Sequence, residues 1–199
     1  MTPVDPDALD RQDMARLAGG HDGALNELME RHATPVFHFL SRMLGNEDDA
    51  NDLAQETFVR VYRSRDSFRA DAKFSTWLFT IAANLARNQL RWRARHPNVS
   101  LDAESPETER SLSDTLSAPG DTPSAGLESD ERAASVRAAV AKLPNEMRET
   151  LVLVEWEDKS VAEASAILNV PKRTIESRLY RARNILRDHL AKWLQTIYL

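Results

Sequence analysis

The chain contains 199 residues, of which 42% are hydrophobic and 29% charged, with a formal net charge of −5; this length suits one ordinary domain or two small ones. It has no cysteine, which excludes disulfides, thiolate metal sites and a thiol switch within the chain. Because no apolar run approaches the roughly 20 residues that span a bilayer, and the acidic start MTPVDPDALDRQD does not resemble a signal peptide, we expect a cytoplasmic protein without membrane insertion.

The N-terminal part of the chain predicts a series of helices. Between Gly23 and Met43 apolar residues recur at near-helical spacing, and Pro35 predicts a kink or a break within that segment. Gly45-Asn46 predicts a stop and a new cap before the segment EDDANDLAQETFVRVYRS. The apolar residues of this segment share one side of a helix. Its other side carries Asp49, Asp52, Gln55 and Glu56.

A long basic helix is predicted from Ser75 to Arg95, after a loop at RADAKF. Between Arg60 and Arg95 nine basic residues stand against two acidic ones. Basic side chains interleaved with aromatic rings suit single-stranded nucleic acid, because exposed bases stack on such rings at roughly 1–3 kcal/mol each. The outward positions of the helix are Thr76, Thr80, Asn84, Arg87 and Arg91, and the neighbouring basic and aromatic residues are Arg69, Lys73, Arg93, Arg95, Phe68, Phe74, Trp77 and Trp92.

The same aromatic residues also fit an ordinary hydrophobic core. Phe74 and Trp92 lie on the side of the helix that carries Leu78 and Leu85, so we expect both to be core residues. Trp77 lies at the edge of that side and beside the loop, which leaves core packing and base stacking equally open for it.

Residues 97–128 have the composition of a linker. The stretch SPETERSLSDTLSAPGDTPSAGLESD is rich in Ser, Thr, Pro and acids, and Leu is its only large apolar residue type. Such a segment cannot bury enough apolar surface to offset the entropy of ordering it. We therefore expect two helical domains, with the boundary between them in this acidic stretch.

The segment SVAEASAILNVPKRTIESRL predicts a helix-turn-helix after two further helices that end near Pro144 and WEDKS. The turn falls at Leu168-Asn169-Val170, where Asn tolerates the left-handed backbone conformation that such a turn needs. Pro171 then presets the first turn of the next helix. In proteins with this motif the second helix enters the major groove of DNA.

The stretch PKRTIESRLYRARNIL at the start of the last helix carries four arginines and one lysine although the chain as a whole is acidic. Ile175, Leu179, Ala182 and Leu186 form an apolar stripe, and the remaining face offers guanidinium groups that pair bidentately with phosphate or with the edge of guanine. The alternative to DNA binding is that this is an amphipathic helix of an ordinary bundle, with its charged face in solvent. The residues expected near base edges are Arg173, Glu176, Ser177 and Arg181, with Tyr180 on the same face, and those expected at phosphates are Lys172, Arg178 and Arg183.

No alternation of period two is long enough to predict a sheet, so the expected fold is all-α, with two small helical domains joined by an acidic flexible linker. DDANDLAQETFVRVYRSRDSFRADAKFSTWLFTIAANLARNQLR resembles the second conserved region of the extracytoplasmic-function (ECF) branch of bacterial sigma factors, the promoter-recognition subunits of RNA polymerase. LPNEMRETLVLVEWEDKSVAEASAILNVPKRTIESRLYRAR resembles their fourth region. We accordingly expect a region-2-like domain at 1–96, a linker at 97–128 and a region-4-like domain at 129–199.

The resemblance implies a sigma factor that binds core RNA polymerase and directs promoter-specific initiation, without catalytic residues, metal or cofactor of its own. The acidic helix with Asp49, Asp52, Gln55 and Glu56 would bind the clamp helices of the largest subunit, and the polymerase flap region and an anti-sigma factor are further implied partners. The last helix would read the −35 element. The residues implied at the −10 element are Arg69, Lys73, Thr76, Trp77, Thr80, Asn84, Arg87 and Arg91.

Two other functions remain as alternatives. A helix-turn-helix regulator without polymerase binding fits the last helices, but it leaves the acidic helix explained only as a solvated surface. An enzyme is the weakest alternative, because the five histidines are scattered and no glycine-rich phosphate loop occurs. The sequence departs from the family pattern at Asn169 and Arg173, where glycine is usual, and the second departure bears on the −35 preference.

Overall fold

The computed structural model describes residues 6–96 and 133–197, with side chains up to residue 191. All regular structure in these two ranges is helical, which confirms the all-α prediction. The predicted linker at 97–128 lies outside the described residues. The helices are α1 Pro6–Ala18, α2 Ala24–Leu44, α3 Glu47–Arg63, α4 Phe74–Arg95, α5 133–141, α6 Asn145–Glu155, α7 Val161–Leu168 and α8 Lys172–Ile197, with a 3-10 turn at Arg65–Ser67. We call α1–α4 the first module and α5–α8 the second module.

Helix α1, which the sequence pattern did not predict, is joined to α2 by a network of charges. Arg31 donates from Nε to Oδ1 of Asp10 at 2.9 Å and from Nη2 to Oδ2 of Asp13 at 2.6 Å. Nε2 of His32 lies 2.8 Å from Oδ2 of Asp10. Burial by itself raises the pKa of Asp10, but the hydrogen bonds and charges of His32 and Arg31 outweigh it and hold the pKa below its ordinary value. The carboxylate of Asp10 is therefore ionised and fully paired inside the first module.

Helix α2 continues through Pro35, so of the predicted kink or break at this residue the break is wrong. Val36, directly after the proline, and Phe39 and Leu40, one turn later, are fully buried. Their packing stabilises the helix although proline cannot donate its backbone hydrogen bond. The predicted stop is confirmed at Gly45, whose left-handed φ of 67° ends the helix while its N–H donates to the carbonyl of Ser41.

The core of the first module forms where α2, α3 and α4 meet. The rings of Phe39 and Phe79 are packed edge to face with their centroids 5.5 Å apart. Leu28, Leu40 and Leu78 are completely buried around them. This core fixes which side of α4 faces inward and leaves the opposite side to other partners.

The helix-turn-helix of the second module has the predicted geometry. Ser160 caps α7 by accepting a hydrogen bond from the N–H of Glu163, whose carboxylate accepts one from the N–H of Ser160 in return. Asn169 is left-handed, with φ 53° and ψ 48°. The hydroxyl of Ser165 donates to the carbonyl of Val170 at 2.6 Å and so secures the turn. Ile175 and Ala182 of α8 are completely buried, as the apolar stripe predicted.

The two modules pack against each other, with α7 on α4 and α6 on α2. Arg148 of α6 donates to the carbonyl of Met43 at 2.8 Å, and so places a cation at the C-terminal end of α2. It also donates to the carbonyls of Ala141 and Leu143, at and just beyond the end of α5. Within residues 6–96 and 133–197 no helix has the length and apolar content that crossing a bilayer requires.

Candidate nucleic-acid and polymerase interfaces

The predicted acidic face of α3 is outward, but its four residues differ in what they contact. Asp52 and Gln55 are exposed. Glu56 accepts a hydrogen bond from Nε of Arg60, one turn later on the same helix, at 2.8 Å. Asp49 forms an ion pair with Arg93 of α4, and its N–H is capped by the side chain of Asn46 at 2.8 Å. The carboxylate of Asp49 therefore links α3 to α4, whereas Asp52 and Gln55 point away from the module.

The predicted polar residues of α4 lie on one side of the helix. The hydroxyl of Thr80 donates to the carbonyl of Thr76 at 2.8 Å, and Oδ1 of Asn84 accepts from Nη1 of Arg87 at 3.3 Å. Arg91 is exposed at the far end of this line. Arg87 is different, because its Nε donates to Oε2 of Glu149 in the second module at 2.7 Å. One of the residues predicted to read DNA is thus already paired with a carboxylate of this chain.

The loop before α4 holds the other two predicted basic residues. Arg69 is exposed and pairs with Asp71 through two hydrogen bonds of 3.1 and 2.8 Å within the loop. The hydrogen bond and the charge of Asp71 raise the pKa of Arg69 and so favour its charged form. Lys73 lies 2.9 Å from Oε1 of Glu163 and 3.3 Å from Oδ2 of Asp7. The two side chains therefore differ, because Arg69 is paired within its loop and Lys73 is paired with α7 and α1.

The aromatic residues near α4 divide into a cluster and an exposed ring. Phe74 is completely buried, as predicted. Trp77 is partly buried against Phe68, with the ring centroids 5.3 Å apart, so core packing accounts for most of its surface. Trp92 was predicted to be a core residue and this is wrong, because it is 40% exposed and stacks on His96. The ring of Trp92 lines a cleft between α3 and α4, so this side of the helix reaches solvent there although α3 lies alongside it.

The sequence prediction missed a cleft of about 490 Å³ between α3 and α4. Trp92 lines it together with Arg60, Arg91 and Arg95. An exposed indole beside three guanidinium groups is the combination that stacks a base and pairs a phosphate. The signal was present in the sequence as RWRAR, but the apolar spacing assigned its tryptophan to the core.

Helix α8 presents its predicted surface opposite the buried stripe of Ile175, Leu179 and Ala182. Tyr180 is 69% exposed. The hydroxyl of Ser177 donates to the carbonyl of Thr174, so it is already satisfied within the helix. The remaining exposed residues of this face are Lys172, Arg173, Glu176 and Arg181.

Two of the three predicted phosphate-binding residues of α8 are paired with acids of α6. Arg178 donates to Oε2 of Glu146 at 2.6 Å, lies 3.5 Å from Oε1 of Glu149, and has only 14% of its side chain exposed. Nε of Arg183 donates to Oε1 of Glu155 at 3.1 Å, with 61% of its side chain exposed. Only Lys172 of the three is free of an ion pair among the described residues. These pairs fix α8 on α6 and orient its outward face.

Comparisons with known proteins identify a known family region in each of the two modules. A family model described as Sigma-70 region 2 matches residues 28–96, and one described as Sigma-70, region 4 matches residues 133–186. The ECF RNA polymerase sigma factor SigW of Bacillus subtilis is 35% identical over 172 residues, which cover 86% of this chain and 91% of SigW. The RNA polymerase sigma-H factor of Pseudomonas aeruginosa is 32% identical over 181 residues, which cover 89% of this chain and 91% of the relative.

Two solved structures share the arrangement of both modules. CnrH in complex with the cytosolic domain of CnrY matches with a TM-score of 0.68 and 27% identity, covering 92% of this chain and 98% of that one. The sigma factor RpoE in complex with the anti-sigma factor NepR from Bartonella quintana matches with a TM-score of 0.64 and 26% identity, covering 83% and 96%. With both sigma regions present in order and relatives matched over nearly their full length, the chain belongs to the ECF family of RNA polymerase sigma factors.

Proposed function

We propose that this sigma factor directs promoter-specific initiation through three surfaces. The acidic face of α3 binds the clamp helices of the polymerase, the outward face of α4 with its preceding loop opens and holds the −10 element, and α8 reads the −35 element. The observation that carries the proposal is the geometry of α8, in which a buried stripe leaves Lys172, Arg173 and Arg181 exposed together. The chain supplies specificity and strand opening, and RNA synthesis belongs to the polymerase, so we expect no enzymatic activity, no cofactor and a cytoplasmic site of action.

Run-off transcription with purified core polymerase and a promoter library tests this proposal. The chain should make the core enzyme initiate at a defined subset of promoters that share two elements. A helix-turn-helix regulator without polymerase binding would bind DNA in the same reactions and produce no transcript. That outcome, together with failure to co-purify with the core enzyme at low ionic strength, would reject the proposal.

We also infer that an anti-sigma factor controls this chain. The support is its likeness to the sigma factor RpoE, whose structure was solved with the anti-sigma factor NepR. A protein recovered with the chain from its own host should inhibit run-off transcription when it is added back in pure form. The inference fails if proteins recovered in this way leave initiation unchanged at saturating concentration.

A further inference from the structure

Glu149 of α6 lies between the two DNA-binding surfaces of the chain. It is 3% exposed, and its carboxylate accepts hydrogen bonds from Nε and Nη2 of Arg87 at 2.7 and 3.3 Å. Nη1 of Arg178 lies 3.5 Å from Oε1 of the same carboxylate. One buried acid thus contacts an arginine of α4, assigned above to the −10 element, and an arginine of α8, assigned above to the −35 element.

The chemistry of this contact is that of a phosphate site. A guanidinium fork binds carboxylate and phosphate with the same parallel hydrogen bonds, so a carboxylate held between two arginines can occupy the place of a backbone phosphate. Burial raises the pKa of Glu149, and the charges of Arg87 and Arg178 oppose that effect. Because a buried charge without partners is costly, Glu149 depends on these arginines as much as they depend on it.

In two further ion pairs between the modules, the cation again belongs to the first module and the acid to the second. Lys73 before α4 pairs with Glu163 of α7 at 2.9 Å. Arg42 of α2 pairs with Glu157, between α6 and α7, at 3.2 Å. In these two pairs and in the contact of Arg87 with Glu149, the first module supplies the cation and the second module the acid. Two of the three cations, Lys73 and Arg87, are also residues assigned to DNA, so the second module covers part of the proposed −10 surface.

We propose that Glu149 is an internal phosphate mimic, through which the second module and promoter DNA compete for Arg87. The inference rests on the proposed function, because it takes the −10 surface to include α4. In the closed arrangement described above, Glu149 occupies Nε and Nη2 of Arg87, so DNA can pair with this side of the guanidinium only when the modules separate. The apparent affinity for DNA is then the affinity of the open form multiplied by the fraction of molecules that are open. A substitution that weakens the closed arrangement raises this apparent affinity.

The closed arrangement can be measured in the free protein with a zero-length carbodiimide cross-linker. The reagent activates a carboxylate, and a lysine amine in contact with it displaces the urea by-product and forms an amide. Lys73 contacts both Glu163 of the second module and Asp7 of its own module. The ratio of the Lys73–Glu163 product to the Lys73–Asp7 product, read by peptide mass spectrometry, therefore reports closure with an internal reference.

Glu149→Gln is the variant that tests the mimic, since it keeps the shape of the side chain and removes its charge. We expect it to lower the cross-link ratio and to raise affinity for a fluorescein-labelled single-stranded oligodeoxynucleotide of mixed sequence by about tenfold, without core polymerase present. Glu146→Gln is the matched control, because Glu146 pairs with Arg178 at 2.6 Å and is on the exposed side of the same helix. It should change neither quantity by more than about twofold.

A second measurement needs no substitution. Adding the oligodeoxynucleotide to the unaltered chain should lower the cross-link ratio as binding saturates. The inference is overturned if the unaltered chain gives no Lys73–Glu163 product, if saturating oligodeoxynucleotide leaves the ratio unchanged, or if Glu149→Gln and Glu146→Gln behave alike. In each of those cases run-off transcription by the unaltered chain still decides the proposed function separately.

Discussion

Glu157 and Arg42 form an ion pair of 3.2 Å across the boundary between the modules, and only 6% of the glutamate side chain is exposed. Burial raises the pKa of Glu157 to about 7, against the opposing charges of Arg42 and Lys159. The folded protein therefore binds a proton at this site at pH values where the unfolded chain has released it. The boundary between the modules therefore contains a carboxyl group that titrates near neutral pH.

The contribution of Glu157 to the free energy of unfolding should fall as the pH rises through the range between the ordinary glutamate pKa of 4.5 and the folded pKa of about 7. The contribution of Glu157 is fully present below this range and is lost above it, and it amounts to at most about 3 kcal/mol. Glu157→Gln should remove this contribution. Urea denaturation of both proteins at about pH 5 and about pH 8 measures the difference.

The unaltered chain has to be compared with Glu157→Gln because His38, which is affected by the charge of Arg42, also titrates. Burial and the charge of Arg42 lower the pKa of His38, so its own contribution to stability rises with pH over part of the same range. That contribution is common to both proteins and cancels in the difference. Equal pH dependence in the unaltered chain and in Glu157→Gln would contradict the raised pKa of Glu157.

The sequence predicted the parts of this fold that depend on local pattern. The stripe of Ile175, Leu179 and Ala182 and the left-handed turn at Asn169 are fixed by neighbouring residues, and both are confirmed. Helix α1 was missed because two of its four buried residues are aspartates, which interrupt the apolar pattern. Their burial depends on Arg31, which belongs to another helix.

The predicted site was incomplete for a related reason. Arg87 and Glu149 are 62 positions apart, and no periodicity within either helix indicates that they meet. Trp92 was assigned to the core because spacing gives the side of a helix and does not give how closely a neighbouring helix packs against it. Patterns within one element therefore located the basic surfaces, while the contacts that cover or expose them required the arrangement of both modules.

The acidic face of α3 should separate into a binding residue and a structural one. Asp52→Ala should weaken association with core polymerase by about 1 kcal/mol and leave the free energy of unfolding unchanged, because Asp52 is exposed. Asp49→Ala should also lower the free energy of unfolding, since it removes the partner of Arg93. Fluorescence titration with core polymerase and urea denaturation measure the two effects. Equal loss of stability in both variants would contradict this division.

The network around Asp10 should make α1 essential to the stability of the first module. Asp10→Asn removes the negative charge between Arg31 and His32 and leaves Asp13 as the only acid that pairs with Arg31 among the described residues, which should cost about 2 kcal/mol. Because the pKa of Asp10 is lowered in the folded protein, its contribution is present above the ordinary aspartate pKa and is lost as the pH falls below it. Glu27→Gln, on the exposed side of α2, is the control and should change stability by less than about 0.5 kcal/mol. Urea denaturation near neutral pH compares them, and a loss as small as that of the control would contradict the paired role of Asp10.

The turn of the helix-turn-helix should depend on the backbone of residue 169 more than on its side chain. Asn169 is exposed with φ 53°, so Asn169→Gly should be nearly neutral while Asn169→Ala should cost about 1 kcal/mol, because alanine pays the steric cost of the left-handed region. Thermal unfolding of the two variants measures the difference. If alanine and glycine are equally stable, the turn does not hold the conformation described here.

The exposed face of α8 should divide into residues that read sequence and residues that hold the backbone. Arg181→Ala should cost about 1–3 kcal/mol on the preferred promoter and relax selectivity at one position of the −35 element, because a base-edge contact discriminates between bases. Lys172→Ala should weaken binding to all promoters alike and reduce the slope of affinity against salt by about one unit, because a phosphate contact releases a counterion. Both side chains are exposed, so neither substitution disturbs the ion pairs that hold α8 on α6. Binding measured over a range of salt with matched and altered −35 sequences separates the two roles, and identical behaviour of the two variants would show that α8 does not divide its contacts in this way.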